Sequence, residues 1–183
     1  MWLADARRER AERRIRTGYD SSRYQAAALH WTQLNFIQPQ LMAHDRYFYD
    51  PARQRYTVAR YLEDLQARYG GIDSVLVWPM YPNMGIDDRN QLDMIRALPR
   101  GLAGVREMIA DFHQHKVRVF LTKMMWDQGT RDEGVPWPQA IATLMQKMDA
   151  DGVNGDTQDG VPRSFPEAAE KLAHPLAFEP EIS

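Results

Sequence analysis

The sequence predicts an α/β fold in which parallel strands are covered by helices, and three features carry that prediction. Apolar residues recur at helical spacing in several separate segments. Between them stand short apolar runs of the kind found in strands covered on both faces. From residue 57 onward the two patterns alternate, which is the rhythm of right-handed βαβ units.

The opening MWLADARRERAERRIRTGYD is arginine-rich, but it carries Asp5, Glu9 and Glu12 and lacks an apolar core. That composition argues against a secretory signal or transit peptide. Residues 1–20 are expected to form a solvated helix or arm, and residues 21–183 the barrel-like domain. Within 21–56, ALHWTQLNFIQPQ is the candidate first strand. A long loop with His44, Asp45 and Arg46 follows, packed through Tyr47, Phe48 and Tyr49.

TVARYLEDLQARYGG places Val58, Tyr61, Leu62, Leu65 and Tyr69 on one helical stripe. Thr57 is suited to cap that helix, and Gly70–Gly71 to stop it. DSVLVWPMYP is the next strand. GLAGVREMIADFHQH is a second helix, expected to bury Leu102, Val105, Ile109 and Phe112. His113 and His115 near its end read as structural or capping groups, because cations are favourable at a helix C-terminus.

KVRVFLTKMMW is a further strand, and WPQAIATLMQKM a third helix with Pro138 in its first turn. A short strand is expected around Gly152–Asp156. SFPEAAEKLAH begins a fourth helix, with Ser164 and Glu167 at capping-box spacing. PLAFEPE is the last strand. Met124, Met125, Met145 and Met148 read as core filler.

The bulk properties narrow the function. The chain has 183 residues, enough for one domain with a substantial core. Its net charge of -2 gives no reason to expect nucleic acid or an anionic membrane as partner. There is no cysteine, which excludes disulfides and thiol chemistry and fits a reducing, cytoplasmic location. No apolar run approaches the roughly 20 residues of a membrane helix. No glycine-rich nucleotide loop opens a helix, and no cofactor is expected. GIDDRNQLD lacks the spacing, glycine and terminal glutamate of an EF-hand loop.

An eight-stranded (β/α)₈ barrel takes about 250 residues, and about four to five strands are visible in this chain. The expected architecture is therefore a partial (β/α)₈ (TIM) barrel, its N-terminal half. In such folds functional groups gather at the C-terminal ends of the strands. Those ends supply Trp78, Tyr81, Asn83, Asp87, Asp88, Arg89 and Asn90; then Lys123, Trp126, Asp127 and Arg131; then Asn154, Asp156 and Asp159; and finally Glu179 and Glu181. Aromatic faces beside carboxylates suit sugars, and paired carboxylates suit glycoside cleavage. The glycines around Asp156 would allow a tight turn and leave room for a ligand. Asp151 and Asp159 read as turn residues.

The order SVLVW, acidic loop, LPRGLAGVREMIADFHQHKVRVFLTKMMWD and ADGVNGDT resembles the first half of the barrel in the α-galactosidase and α-glucosidase superfamily of glycoside hydrolases. The resemblance covers residues 57–183. It implies O-glycosyl bond hydrolysis, with Asp156 as nucleophile and Trp126 and Asp127 contacting the sugar. The chain has Asn154 and Gly155 where the family often has lysine or tryptophan, and the family's acid/base lies on a later strand, beyond Ser183.

The candidate site is thus catalytic Asp156 with Trp78, Asp87, Asp88, Trp126, Asp127, Arg131, Asn154 and Glu179 as substrate contacts. Its expected partners are a carbohydrate and either a second copy or a missing C-terminal half. Two alternatives stand beside this reading. One is a non-catalytic ligand-binding or assembly fragment. The other is a metal-dependent barrel lyase or hydrolase holding its ion through Asp127, Asp156 and Glu179.

Overall fold

A computed structural model of the chain describes residues 2–79, 87–127 and 131–182. Tyr81 and Asn83 lie outside the described residues. Residues 1–33 and 34–183 form two compact units. The first contains helix α1 (Trp2–Arg16), which has no buried residue. Two short 3₁₀ segments follow, Ser22–Gln25 and Ala27–Leu34. Tyr19 stacks on Tyr24, and Arg14 lies over the Tyr19 ring. Among the described residues no helix is long and apolar enough to cross a membrane.

The second unit runs β1 (Gln40–Met42), a small antiparallel hairpin β2–β3 (Tyr49–Asp50 and Arg55–Tyr56), α2 (Val58–Tyr69), β4 (Ser74–Trp78) and α3 (Gln91–Arg96). It continues with α4 (Gly101–Gln114), β5 (Arg118–Met124), α5 (Trp137–Met148), β6 (Gly152–Asp159), α6 (Ser164–Lys171) and β7 (Ala177–Ile182). Five strands make one sheet in the order β1-β4-β5-β6-β7, and every neighbouring pair is parallel. The order never reverses along the chain. With right-handed crossovers, an unreversed order puts all covering helices on one face. The packing agrees, because α2 and α3 each contact α4, α4 contacts α5, and α5 contacts α6.

Strand alternation then assigns the two faces. Leu121, Val153 and Phe178 are in register, and Phe178 meets the ring of Phe165 on α6, so they face the helices. Val105, Met108, Ile109 and Phe112 of α4 and Ile141, Leu144, Met145 and Met148 of α5 complete that core. Beside it, Phe48 joins Tyr56, Tyr61 and Phe112 in an aromatic cluster, so the loop after β1 is packed through Phe48, while Tyr47 is exposed.

The other face is concave, and one side chain shows it. Gln38 Nε2 donates to Glu179 Oε2 of β7 at 2.6 Å, while Gln38 Oε1 accepts from Ser74 Oγ of β4 at 2.6 Å. Gln38 leads into β1, and β1 and β7 are opposite edges of the sheet. A single glutamine reaches both only if the sheet rolls up. This is barrel-type curvature and not the spread of an open twisted sheet.

Several local expectations are corrected. The first strand is Gln40–Met42, while most of ALHWTQLNFIQPQ is 3₁₀ helix and extended chain. Thr57 stands before α2 but does not cap it, because its hydroxyl donates to the carbonyls of Tyr47 and Phe48. Gly70 does close α2 in the left-handed conformation. Tyr69 is exposed. Ser164 is the first residue inside α6 and makes no capping bond, since the chain has already turned at Pro162 and Arg163. Met125 is partly exposed and is no core filler, unlike Met124, Met145 and Met148.

Candidate functional site

At the C-terminal edge of the rolled sheet, Asp156 sits where β6 breaks its register. Gly155 pairs with Pro180 and Asp159 with Ile182, so β6 spends four residues where β7 spends two. Thr157 absorbs the excess at φ +57. For a β-branched residue that conformation is a true outlier, and strain of this kind concentrates at functional sites. Glu181 anchors the bulge by accepting from the Thr157 amide at 2.7 Å. Bulges re-aim the neighbouring side chain. Here the neighbour is Asp156.

The indole Nε1 of Trp126 donates to Asp156 Oδ2 at 3.3 Å. Trp126 is 48% exposed, so a ring face stays open beside the carboxylate. Thr122, Asn154 and Glu179 are in register on the concave face, the side on which alternation also places Asp156. Trp78, opposite Met42 at the end of β4, is buried. The structure thus groups Asn154, Asp156 and Glu179 on one face, with Trp126 at its rim. The space beside Gly152 and Gly155 is not left for a ligand, whereas Gly160 faces open space. A Cβ on Gly155 would meet the buried Gln158 side chain, and one on Gly152 would meet the Phe120 ring.

The remaining candidates are placed differently. Asp87 is an exposed partner of Arg89, whose hydrogen bonds lower its pKa. The Asp88 carbonyl accepts from the Arg131 amide. Arg131 itself is held by Asp93 and Glu133 at 2.7 and 2.6 Å, and Arg96 bridges the same two carboxylates. Hydrogen bonds from Arg131 hold Asp93 down at about 2, and those from Arg96 hold Glu133 at about 2.

Both carboxylates titrate below their unfolded values. Their contribution is therefore present above about pH 4.5 and fades as pH falls toward 2. Glu133→Gln is expected to reduce stability by about 1–2 kcal/mol at pH 7, after allowing for solvent screening. That deficit should shrink on acidification, which urea titrations at pH 7 and pH 3 would show.

Asp127 is buried and accepts from the Gln91 amide at the start of α3 at 2.7 Å. Gln91 also clamps β5, donating to the Met124 carbonyl and accepting from the Met124 amide. Neither Gln91 nor helix α3 was anticipated. The signal was present in Asn90-Gln-Leu-Asp93, because Asn90 and Asp93 form a reciprocal capping box.

Beside this clamp lies a cleft of about 790 Å³ lined by Lys123, Asp127, Val135, Pro136, Trp137 and Phe165, among others. The Lys123 ammonium is buried against the Met125 sulfur and the Phe165 ring. Burial pushes it down to about 8, against the smaller pull of Asp127. Among the described residues no three His, Asp or Glu side chains converge to hold a metal ion, so the metal-dependent alternative has no donor set there.

Fold and site together define a parallel β/α domain, wound in one direction and rolled, with carboxylates and an open indole at its strand ends. No protein-family model matches the chain, and no curated protein matches it by sequence. It is structurally similar to α-galactosidase I of Mortierella vinacea, at 13% identity and a TM-score of 0.45, over 76% of this chain and 38% of that one. It is similar to a β-arabinopyranosidase at 13% identity and 0.42, over 79% and 22%. The maltogenic α-amylase AmyB of Thermotoga neapolitana is 15% identical, with a TM-score of 0.47, over 80% and 45%. The chain spans less than half the length of each.

Proposed function

We propose that this chain forms the sugar-binding face of a glycoside hydrolase, with Asp156 as the nucleophile. The observation that carries the reading is the pairing of Asp156 with the open Trp126 indole, at a strained bulge on a strand's C-terminal end. An indole face stacks on the C–H face of a pyranose, while Asn154 and Glu179 on the same sheet face offer partners for hydroxyls. In a retaining reaction an Asp156 oxygen attacks the anomeric carbon and forms a glycosyl ester. The leaving oxygen takes a proton from a second carboxylic acid, and water then releases the sugar. The resemblance assigns that acid to a later barrel strand. In this reading Arg131 and Asp127 shape the loops around the site instead of touching the sugar.

The test is saturation-transfer NMR of the chain with a panel of methyl glycosides, repeated with variants. Trp126→Ala is expected to weaken binding by about 1 kcal/mol, roughly fivefold. Asp156→Asn should still bind sugar, and in an enzyme that turns over it should cost about a thousandfold in kcat. No sugar signal from the native chain, or equal signals from native and Trp126→Ala, would overturn the proposal. Binding with no turnover in any assembled form would leave the non-catalytic reading in its place.

A further inference from the structure

Lys123 lies on the helix-facing side of β5, away from Asp156 on the concave side. It is 5% exposed, yet it lines an open cleft. Among the described residues its ammonium bonds to a thioether and lies over an aromatic ring, and Asp127 attracts it without forming a hydrogen bond or ion pair to it. A buried cation so weakly compensated is costly unless the site uses it. The walls offered to a ligand are apolar, namely Trp137, Phe165, Val135 and Pro136.

The charged groups around the cleft decide what the amine would take. Asp127 and Asp132 line the same cleft and disfavour an anion, and Arg131 is already committed to Asp93 and Glu133. Pro138 in the first turn of α5 lacks the amide that would help hold one. A neutral ligand with a hydrophobic body suits this cleft, and the one amine among its described lining residues is that of Lys123.

We propose that this cleft is a second site, which captures a neutral, hydrophobic aldehyde or ketone as an imine on Lys123. The neutral amine attacks the carbonyl carbon, its two N–H protons pass in turn to the former carbonyl oxygen, and that oxygen leaves as water as the C=N bond forms. No oxidant or further reactant is needed. The depressed titration of Lys123 supports the step, because a useful fraction of the amine is neutral near pH 8.

The chain has four lysines, and Lys116, Lys147 and Lys171 are exposed, so the test is clean. The native chain is incubated with 2-naphthaldehyde and sodium cyanoborohydride, whose hydride reduces any imine to a stable amine, and is then mapped by peptide mass spectrometry. Lys123 is expected to label at least about tenfold faster than each exposed lysine at pH 7.5, because the neutral fraction of an amine titrating near 8 is about two-hundredfold larger, a lead that its lower basicity and burial reduce. Its labelling should rise steeply from about pH 6.5 to 8.5 and then level off. Trp137→Ala should slow Lys123 several-fold and leave the exposed lysines unchanged, which separates the cleft from simple amine reactivity. Labelling of the exposed lysines with Lys123 unmodified, or no effect of Trp137→Ala, would overturn the proposal. Neither outcome bears on Asp156.

Discussion

Asp151→Ala is expected to lower the unfolding free energy by about 3–4 kcal/mol near pH 5.5, the largest single effect on stability foreseen in this chain. The carboxylate is nearly enclosed, with 8% of its side chain exposed. It takes a hydrogen bond from His113 Nε2 at 2.6 Å, one from Arg118 at 2.6 Å and one from the Val119 amide at 2.8 Å. Burial alone would raise its pKa, but the bonds from His113, Val119 and Arg118 prevail and lower it. Truncation leaves a partly buried imidazolium and a strand amide without their acceptor, and stranded partners of this kind make buried pairs costly to break.

The pH dependence gives this prediction a second edge. His113 is raised, chiefly by its bond to Asp151, so its contribution is complete below about pH 6.5 and is lost as pH rises through its folded value. Asp151 is lowered, so its contribution is complete above about pH 3.9 and is lost as pH falls further. The deficit of the variant should therefore be widest between those limits. Urea titrations from pH 4 to 8 would show it. A deficit below about 1 kcal/mol throughout would mean that the cluster is no more than an exposed ion pair.

Lys123→Met is expected to stabilise the protein, by up to about 3 kcal/mol at pH 7. Methionine keeps an unbranched, apolar stem beside Phe165 and removes the desolvated charge. The folded amine titrates near 8 and the unfolded one near 10.5, so the unfolded state binds more protons between those values. The native lysine is thus most destabilising below about pH 8, and the penalty is relieved as pH rises toward 10. The gain from Lys123→Met should shrink over the same interval, as melting curves at pH 7 and pH 9.5 would reveal. A variant that loses stability at pH 7 would show that the ammonium makes a favourable contact outweighing its burial.

The layout of the second unit was legible because its periodicities are local. The stripe of Val58, Tyr61 and Leu65, the stop at Gly70, the run of β5 and the amphipathic pattern of α4 and α5 each lie within one segment. The short pieces were less legible. β1 has three residues, too few for a pattern, and the six-residue α3 is announced only by the Asn90–Asp93 cap. The rule of strand C-termini led to Asp156, Trp126 and Asn154, which the structure groups at one edge of the sheet. It also gathered Arg131 and Asp87, whose charges the structure ties to neighbouring side chains. A strand-end rule identifies an edge but not the direction of a side chain on it. Asp151 read as a turn residue because its three donors come from α4 and β5, more than thirty positions away.

By itself, then, the sequence determined the alternation of strands and helices, their parallel winding and the set of polar residues delivered to the strand ends. Those follow from periodicities of two and 3.6 residues, which a chain carries wherever it goes. Tertiary structure alone decided the roll that brings Gln38 to Glu179, the meeting of Asp156 with Trp126 beside the β6 bulge and the burial of the Lys123 amine. Each depends on register or packing between segments far apart in the chain, and no local pattern encodes the environment that a distant segment will supply.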